Sequence, residues 1–166
     1  MAIYECRKNN ENHIEISSES RDSVVFGTEK VLDEILREIW DEGQNVKIAF
    51  DGWYGIDWAY ILMPFERLCE NKGISISSYH SSIIFKDKQE LNKYKKTFIT
   101  DDPAFGWENL DGTIGDIIDT NKATKFKDML FDKSYETNIM IAYGPGCAAG
   151  GLAESYDYIF YFDKLV

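Results

Sequence analysis

Apolar side chains between residues 31 and 40 recur every three or four positions, which is the spacing of one face of a helix. Thr28 is placed to cap the start of this helix and Gly43 to end it. The next apolar run, residues 46–50, is rich in β-forming side chains and leads into a turn. The pattern therefore predicts a helix followed by a strand that is buried on both faces, as in a parallel sheet.

The same alternation of helix and strand patterns continues along the chain. Strands that alternate with helices of this length favour a right-handed βαβ succession. The predicted fold class is α/β, a three-layer α/β/α arrangement with a mostly parallel sheet. We predict further helices at residues 58–69, 88–98, 113–119 and 123–131, and extended segments at residues 74–77, 82–85, 138–143 and 158–162.

The first 27 residues are more polar than the rest of the chain. One alternating segment within them, residues 13–16, is a candidate edge strand, and we interpret residues 1–27 as a weakly packed lead-in. Residues 28–166 are predicted to form a single α/β domain, because 166 residues is the length of one domain. With 44% hydrophobic and 14% aromatic residues, the chain has enough apolar surface to close one core.

Charge and cysteine content narrow the possible partners and location. The chain has 18 basic and 29 acidic side chains, a net charge of −11 that repels nucleic acid and anionic membrane surfaces. Three widely spaced cysteines match neither a disulfide framework nor a paired-cysteine metal site. The sequence has no apolar run of about 18 residues and no signal-peptide pattern. We therefore expect a cytoplasmic protein that binds neither nucleic acid nor membrane.

The turn after the first predicted strand is a candidate ligand-binding segment. In open parallel sheets ligands bind beyond the carboxyl ends of the strands, which directs attention to Asp51, Gly52, Gly55 and Asp57. A phosphate-binding P-loop aligned on Asp51 would need Gly, Lys and Ser or Thr at positions 56–58, where this chain has Ile, Asp and Trp. A carboxylate in place of the lysine repels phosphate. If the turn is a nucleotide site, its catalytic groups are missing.

A second glycine-rich turn follows the predicted strand at residues 138–143. Gly144 and Gly146 open this segment, which runs to residue 151. Its backbone N–H groups are able to form a nest for a phosphate, while its small side chains are equally suited to tight strand-to-helix packing. Both interpretations stay open at this stage.

Three more polar side chains are second-line candidates. Asp101 and Asp102 offer the oxygen ligands that magnesium prefers and would have to meet Asp51 to form a site. The favoured interpretation is a capped turn at residues 100–103, with Phe105 and Trp107 packed on the core. His80 follows a predicted strand, where a hydrogen-bonding histidine is favoured over a general base.

Taken together, these segments resemble the uridine kinase and phosphoribulokinase group of P-loop kinases. More specifically, residues 50–57, 98–106 and 115–119 resemble the kinase-like domain attached to class I mannose-6-phosphate isomerases in some bacteria, and the similarity spans residues 46–163. The resemblance implies a kinase-like fold with a degenerate phosphate-binding loop and, we expect, without the kinases' arginine-bearing lid. It also implies a role in carbohydrate metabolism. The two histidines here, His13 and His80, are not placed as the zinc ligands of an isomerase. The resemblance therefore implies that the isomerase belongs to a partner domain or chain.

The resulting hypothesis is a domain that binds a nucleotide or sugar phosphate and does not transfer phosphate. One alternative is a phosphotransferase that uses magnesium, held by Asp51, Asp57, Asp101 and Asp102. Another is a structural protein-interaction domain, including a homodimer, since aromatic residues cluster near the turns. The sequence identifies neither the ligand nor the metal, and it leaves open whether the chain is complete.

Overall fold

The computed structural model describes residues 16–41, 44–102, 105–131 and 137–163. Short 3-10 helices connect several of the longer elements, at Ser81–Ile84, Ile114–Ile117 and Ala153–Ser155. The α-helices are α1 (Ser18–Asp22), α2 (Thr28–Ile39), α3 (Trp58–Asn71), α4 (Lys88–Lys96) and α5 (Thr120–Phe131), and the strands are β1 (Val46–Gly52), β2 (Ile76–His80), β3 (Ile139–Tyr143) and β4 (Tyr158–Phe162).

The four strands form one parallel sheet in the order β2-β3-β1-β4. Strand β1 lies between β3 and β4, and its Phe50 is in register with Tyr143 of β3 and Phe160 of β4. The carboxyl ends of β1 and β3 are therefore neighbours. The segments that follow them, the β1–α3 turn and the glycine-rich turn, leave the sheet at the same edge.

Side chains of β1 alternate between two separate hydrophobic clusters. Ile48 and Phe50 pack with helices α2 and α3, whereas Ala49 packs with α5 and the segments around residues 84 and 118. Phe50 is fully buried and contacts the Phe65 ring of α3 edge to face at 5.4 Å between centroids. Helices thus cover both faces of the sheet, which confirms the predicted three-layer α/β/α architecture.

Several local predictions differ from the structure. The apolar residues 82–85, predicted to be extended, lie mostly in a 3-10 helix, because a short apolar run does not distinguish helix from strand. Phe85 alone forms an isolated bridge, to Ile118. Helix α2 begins at Thr28 with Gly27 as its N-cap, so the Thr28 hydroxyl is free to donate to the Tyr60 hydroxyl instead.

The lead-in contains one short helix, α1, within its described part. The candidate edge strand at residues 13–16 lies outside the described residues apart from Ile16, as does Gly43. The division at residue 27 stays a prediction. Within the described ranges, no helix combines the length and the apolar character needed to cross a bilayer.

Replacing Phe65 by alanine tests the α3 side of the core. The ring is fully buried against Phe50, so Phe65→Ala is expected to lower the free energy of unfolding by about 3–5 kcal/mol in urea titration. Met63→Ala, on the exposed face of the same helix, should change it by less than about 0.5 kcal/mol. Equal effects of the two substitutions would contradict the described packing.

Candidate functional site

Asp51 lies near the carboxyl end of β1, and its side chain connects β1 to the glycine-rich turn. Its Oδ1 accepts hydrogen bonds from the backbone N–H groups of Gly52 at 2.7 Å and Gly146 at 2.8 Å. Its Oδ2 accepts one from Ala148 at 3.0 Å. The carboxylate of β1 thus occupies the backbone N–H groups of the turn that follows β3.

The glycine-rich turn has the backbone conformation that such an arrangement requires. Gly144 and Gly146 have φ angles of +109° and +70°, which side chains rarely adopt. A Cβ on Gly144 would lie 2.6 Å from the Ser81 hydroxyl oxygen, and one on Gly146 would lie 2.4 Å from the Ile114 side chain. Both glycines are closely packed, and of the two only Gly146 donates its backbone N–H to Asp51, since that of Gly144 bonds to the backbone oxygen of Phe50. A nest for a phosphate stays a prediction.

Ala148 is a site residue that sequence reasoning missed. It contributes only a backbone N–H group, and any residue type except proline offers the same donor. The available signal was the pairing of an aspartate at one strand end with a glycine-rich turn at another. Asp51, Gly52, Gly144 and Gly146 are the predicted candidates that the structure brings together.

The remaining predicted residues of the β1–α3 turn hold the turn itself. The Asp57 carboxylate caps α3 by accepting from the backbone N–H of Tyr60 at 3.3 Å. A Cβ on Gly55 would lie 2.3 Å from the Trp53 ring, and one on Gly52 would lie 2.4 Å from the backbone oxygen of Phe162. Gly55 and Asp57 are thus explained by an indole packed over the turn and by a helix cap.

His80 lies at the carboxyl end of β2, beside the nest. Its Nδ1 accepts from the backbone N–H of Ser82 at 3.0 Å, and its ring contacts the Tyr143 ring edge to face. The neighbouring Ser81 hydroxyl is fully buried and donates to the backbone oxygen of Pro145 at 2.9 Å. These contacts are those of a hydrogen-bonding histidine that supports the turn.

Asp101 and Asp102 are exposed in a separate turn. The Thr100 hydroxyl closes this turn by hydrogen bonding to the backbone oxygens of Asp102 and Phe105. Phe105 and Trp107 are 70% and 73% exposed, so the prediction that they pack on the core was wrong. The Thr100 hydroxyl thus closes the turn through hydrogen bonds within it.

In the part of the chain that the structure describes, no three His, Cys, Asp or Glu side chains lie close enough together to hold a metal ion. The structure thus does not gather Asp51, Asp57, Asp101 and Asp102 into one cluster. Of these four carboxylates, Asp51 accepts from backbone N–H groups of the glycine-rich turn and Asp57 caps α3.

An open cleft of about 690 Å³ lies over the nest. Its walls are mainly apolar, and among the lining residues that the structure describes Asp51 is the one charged side chain. Lys86 and Lys122, on segments next to the lining residues Phe85 and Ile117, donate to the backbone oxygens of Asp116 and Phe85. Aromatic side chains of Trp53, Tyr54, Phe85 and Tyr161 form much of the wall.

Burial keeps two ionisable side chains near the nest, Cys147 and Tyr156, in their neutral forms. Burial, and secondarily the charge of Asp51, raise the pKa of the Cys147 thiol well above its usual range. Burial likewise raises the pKa of Tyr156, whose hydroxyl donates to the backbone oxygen of Cys147 at 2.8 Å. Both groups are neutral near pH 7, and their contacts serve to fix the turn.

Comparison with solved structures supports a kinase-like fold. A protein from Silicibacter sp. TM1040, provisionally named a fructose transport system kinase, superposes with a TM-score of 0.56 over 82% of this chain and 74% of its own, at 12% identity. At that identity the likeness shows the fold alone. Saccharomyces cerevisiae Rif2 gives a TM-score of 0.42 over 82% of this chain and 55% of its own at 16% identity, too low to carry an argument.

Comparison of sequences gives one family. The profile of a family described as "Domain of unknown function (DUF8485)" matches residues 27–164. No curated protein matches the chain.

Removing the Asp51 carboxylate should destabilise the carboxyl edge in a way that an external anion repairs. Asp51→Ala leaves the N–H groups of Gly146 and Ala148 without their acceptor, so we expect a loss of about 2–4 kcal/mol in the free energy of unfolding. Formate, which replaces the deleted carboxylate, should raise the melting temperature of this variant more than that of the wild type.

Asp87→Ala is the matched control for this experiment. Asp87 also accepts from two backbone N–H groups, those of Gln89 and Glu90, but it does so as the exposed cap of α4. We expect a smaller loss of stability and no rescue by formate beyond that given by sodium chloride at equal ionic strength. Equal rescue of both variants would show that formate does not act in the nest.

Cys69 and Cys147, the two cysteines in the described part of the chain, are buried and should resist alkylation in the native state. Burial raises the pKa of Cys69 to about 11 and that of Cys147 further, and only the thiolate reacts. At pH near 8 we expect iodoacetamide to label both on the order of a hundredfold more slowly than in the urea-unfolded chain. Peptide mapping by mass spectrometry measures this, and native labelling of Cys147 at the unfolded rate would contradict its burial.

Proposed function

We propose that this chain, which belongs to the DUF8485 family, is a kinase-fold domain that binds a small ligand without transferring phosphate. The observation that carries the proposal is the Asp51 carboxylate bonded to the N–H groups of Gly146 and Ala148. An internal anion occupies donors at the sheet edge where ligands of parallel α/β folds bind.

A bound phosphate at this nest would have to displace Asp51 or lie beside its negative charge. Two unit charges about 4 Å apart repel by about 1 kcal/mol in water and by several times more in a partly desolvated site. The turn after β1 adds no compensating cation, because Asp57 stands at the position of the P-loop lysine and caps α3. These contacts support loss of phosphoryl transfer.

Ligand binding is supported by the cleft above the nest. Its volume of about 690 Å³ lies in the range of small-molecule sites, and such sites combine apolar walls with few polar groups. A comparable groove of about 740 Å³ lies between α2 and α3. The described lining of that groove includes no strand end and no turn after a strand, so the cleft over Asp51 is the better candidate.

The finer predictions concern the ligand and the partner. A nucleotide or sugar phosphate stays a prediction from sequence, with its phosphate placed outside the nest that Asp51 fills. The isomerase-like partner and the role in carbohydrate metabolism rest on the sequence resemblance alone.

A protein-interaction domain is the second candidate function. The observation that favours it is a run of exposed apolar side chains after α4, among them Phe105, Trp107 and Leu110. Exposed aromatic residues are enriched at protein interfaces. A dimer mass in solution, combined with no response to any small ligand, would favour this function over ligand binding.

Phosphoryl transfer is the activity to test directly. With ATP and magnesium, the chain should release or transfer no γ-phosphate above the buffer rate, with or without hexoses as acceptors. Asp57→Lys should be equally inactive, because the glycine and the magnesium-binding hydroxyl of a P-loop are also absent at Ile56 and Trp58. Radiolabelled ATP gives the required sensitivity.

The matched control is Asp51→Ala. Turnover by the wild type that disappears in Asp51→Ala would show a working site and overturn the proposal. Turnover that both proteins retain equally would indicate a contaminating kinase, to be removed by further purification before the rate is scored. In parallel, a thermal-shift screen of nucleosides, nucleotides and sugar phosphates tests ligand binding, with and without magnesium.

A further inference from the structure

The cleft over Asp51 combines two features that recognise one class of ligand. Its wall carries the aromatic rings of Trp53, Tyr54 and Tyr161, of which the two tyrosines are 77% and 68% exposed. Its floor carries the carboxylate of Asp51. Aromatic faces attract cations through the ring quadrupole, and the attraction grows as the cation loses water.

The charges around the cleft favour a cation and disfavour an anion. Asp51 is its one charged lining residue, and no Lys or Arg is among the described residues of the wall. The net charge of −11 adds a long-range field of the same sign. Asp51 accepts three hydrogen bonds. Its charge is nevertheless the second cause, smaller than burial, of the raised pKa of Cys147.

The carboxylate also has an acceptor position left for a ligand. A carboxylate offers roughly four lone-pair positions. Within the described part of the chain Oδ1 accepts from Gly52 and Gly146, whereas Oδ2 accepts from Ala148 alone. Oδ2 can therefore take one further donor or lie against a diffuse positive charge.

We propose that the cleft binds an organic cation, a protonated amine or a methylated ammonium group carried on an apolar body. This rests on the proposed function, since it names the class of ligand for the same cleft. The ammonium group lies against Asp51, and its methyl or methylene groups lie against Trp53 and Tyr161. A phosphate group has no complementary charge in this position.

Choline is a suitable probe, with a neutral analogue in which a tert-butyl group replaces the trimethylammonium group. Calorimetry and tryptophan fluorescence should show choline binding about tenfold or more tighter than the analogue. Sodium chloride at the same ionic strength should give no binding heat and no change in tryptophan fluorescence. n-Butylamine serves as the second cation, and inorganic phosphate as the anion.

Two aromatic variants keep the test independent of folding. Tyr161→Ala removes an exposed cleft ring and should weaken choline binding about tenfold. Phe105→Ala removes an equally exposed ring that is not among the cleft residues and should leave binding unchanged. Asp51→Asn should weaken choline binding but not binding of the neutral analogue, and circular dichroism checks that each variant is folded.

The outcomes separate this inference from the proposed function. If the neutral analogue binds as tightly as choline, the cation proposal is overturned and the ligand-binding function stands. The same holds if neither cation binds while a nucleoside or sugar phosphate does, and Tyr161→Ala weakens that binding. Binding of no compound in the whole panel overturns both. Choline binding that Tyr161→Ala and Phe105→Ala affect equally overturns the assignment to this cleft.

Discussion

The hydrogen bonds from Gly146 and Ala148 to Asp51 tie the two central strands together beyond the end of their ladder. They fix the direction in which the chain leaves β3, and with it the wall of the cleft. A charged acceptor makes such bonds stronger than neutral ones, and leaving the donors without it is costly. The same contact determines chemistry, because N–H groups that hold an internal carboxylate are not available for a phosphate. The bonds that support the turn are thus the same bonds that occupy its N–H donors.

In this kinase-like fold the turn after β1 carries Ile56, Asp57 and Trp58, where a P-loop has Gly, Lys and Ser or Thr. In this chain the turn after β1 is stabilised by the Trp53 indole packed against Gly55 and by Asp57 at the start of α3. Neither contact needs a ligand, so the turn keeps its shape without one. The cleft beside this turn has aromatic walls and, among its described lining residues, one acidic group. Its likeness to a sugar-kinase structure concerns the fold alone.

Patterns local in sequence predicted most of the architecture, because β1, β3 and α2 bury continuous or periodic apolar faces. The apolar run at residues 46–50 led to the correct strand, and the aspartate that follows it stays a predicted site residue. What the sequence could not supply was the partner of Asp51, since Ala148 lies 97 residues away and contributes only backbone. The segment 82–85 was misassigned because its few apolar residues suit either a strand or a helical turn. Phe105 and Trp107 were wrongly predicted to pack on the core, because large apolar side chains usually lie in the protein interior.

The position of β1 in the sheet also governs when the molecule can assemble. Both neighbours of β1 come from the far end of the chain, β3 at residues 139–143 and β4 at residues 158–162, whereas β2, the next strand made, is separated from it by β3. During synthesis the first two strands therefore have no ladder to share with each other. Contacts between residues so distant in sequence close large loops and slow folding. The apolar β1 must stay protected, by α2 and α3 or by chaperones, until β3 and β4 have left the ribosome.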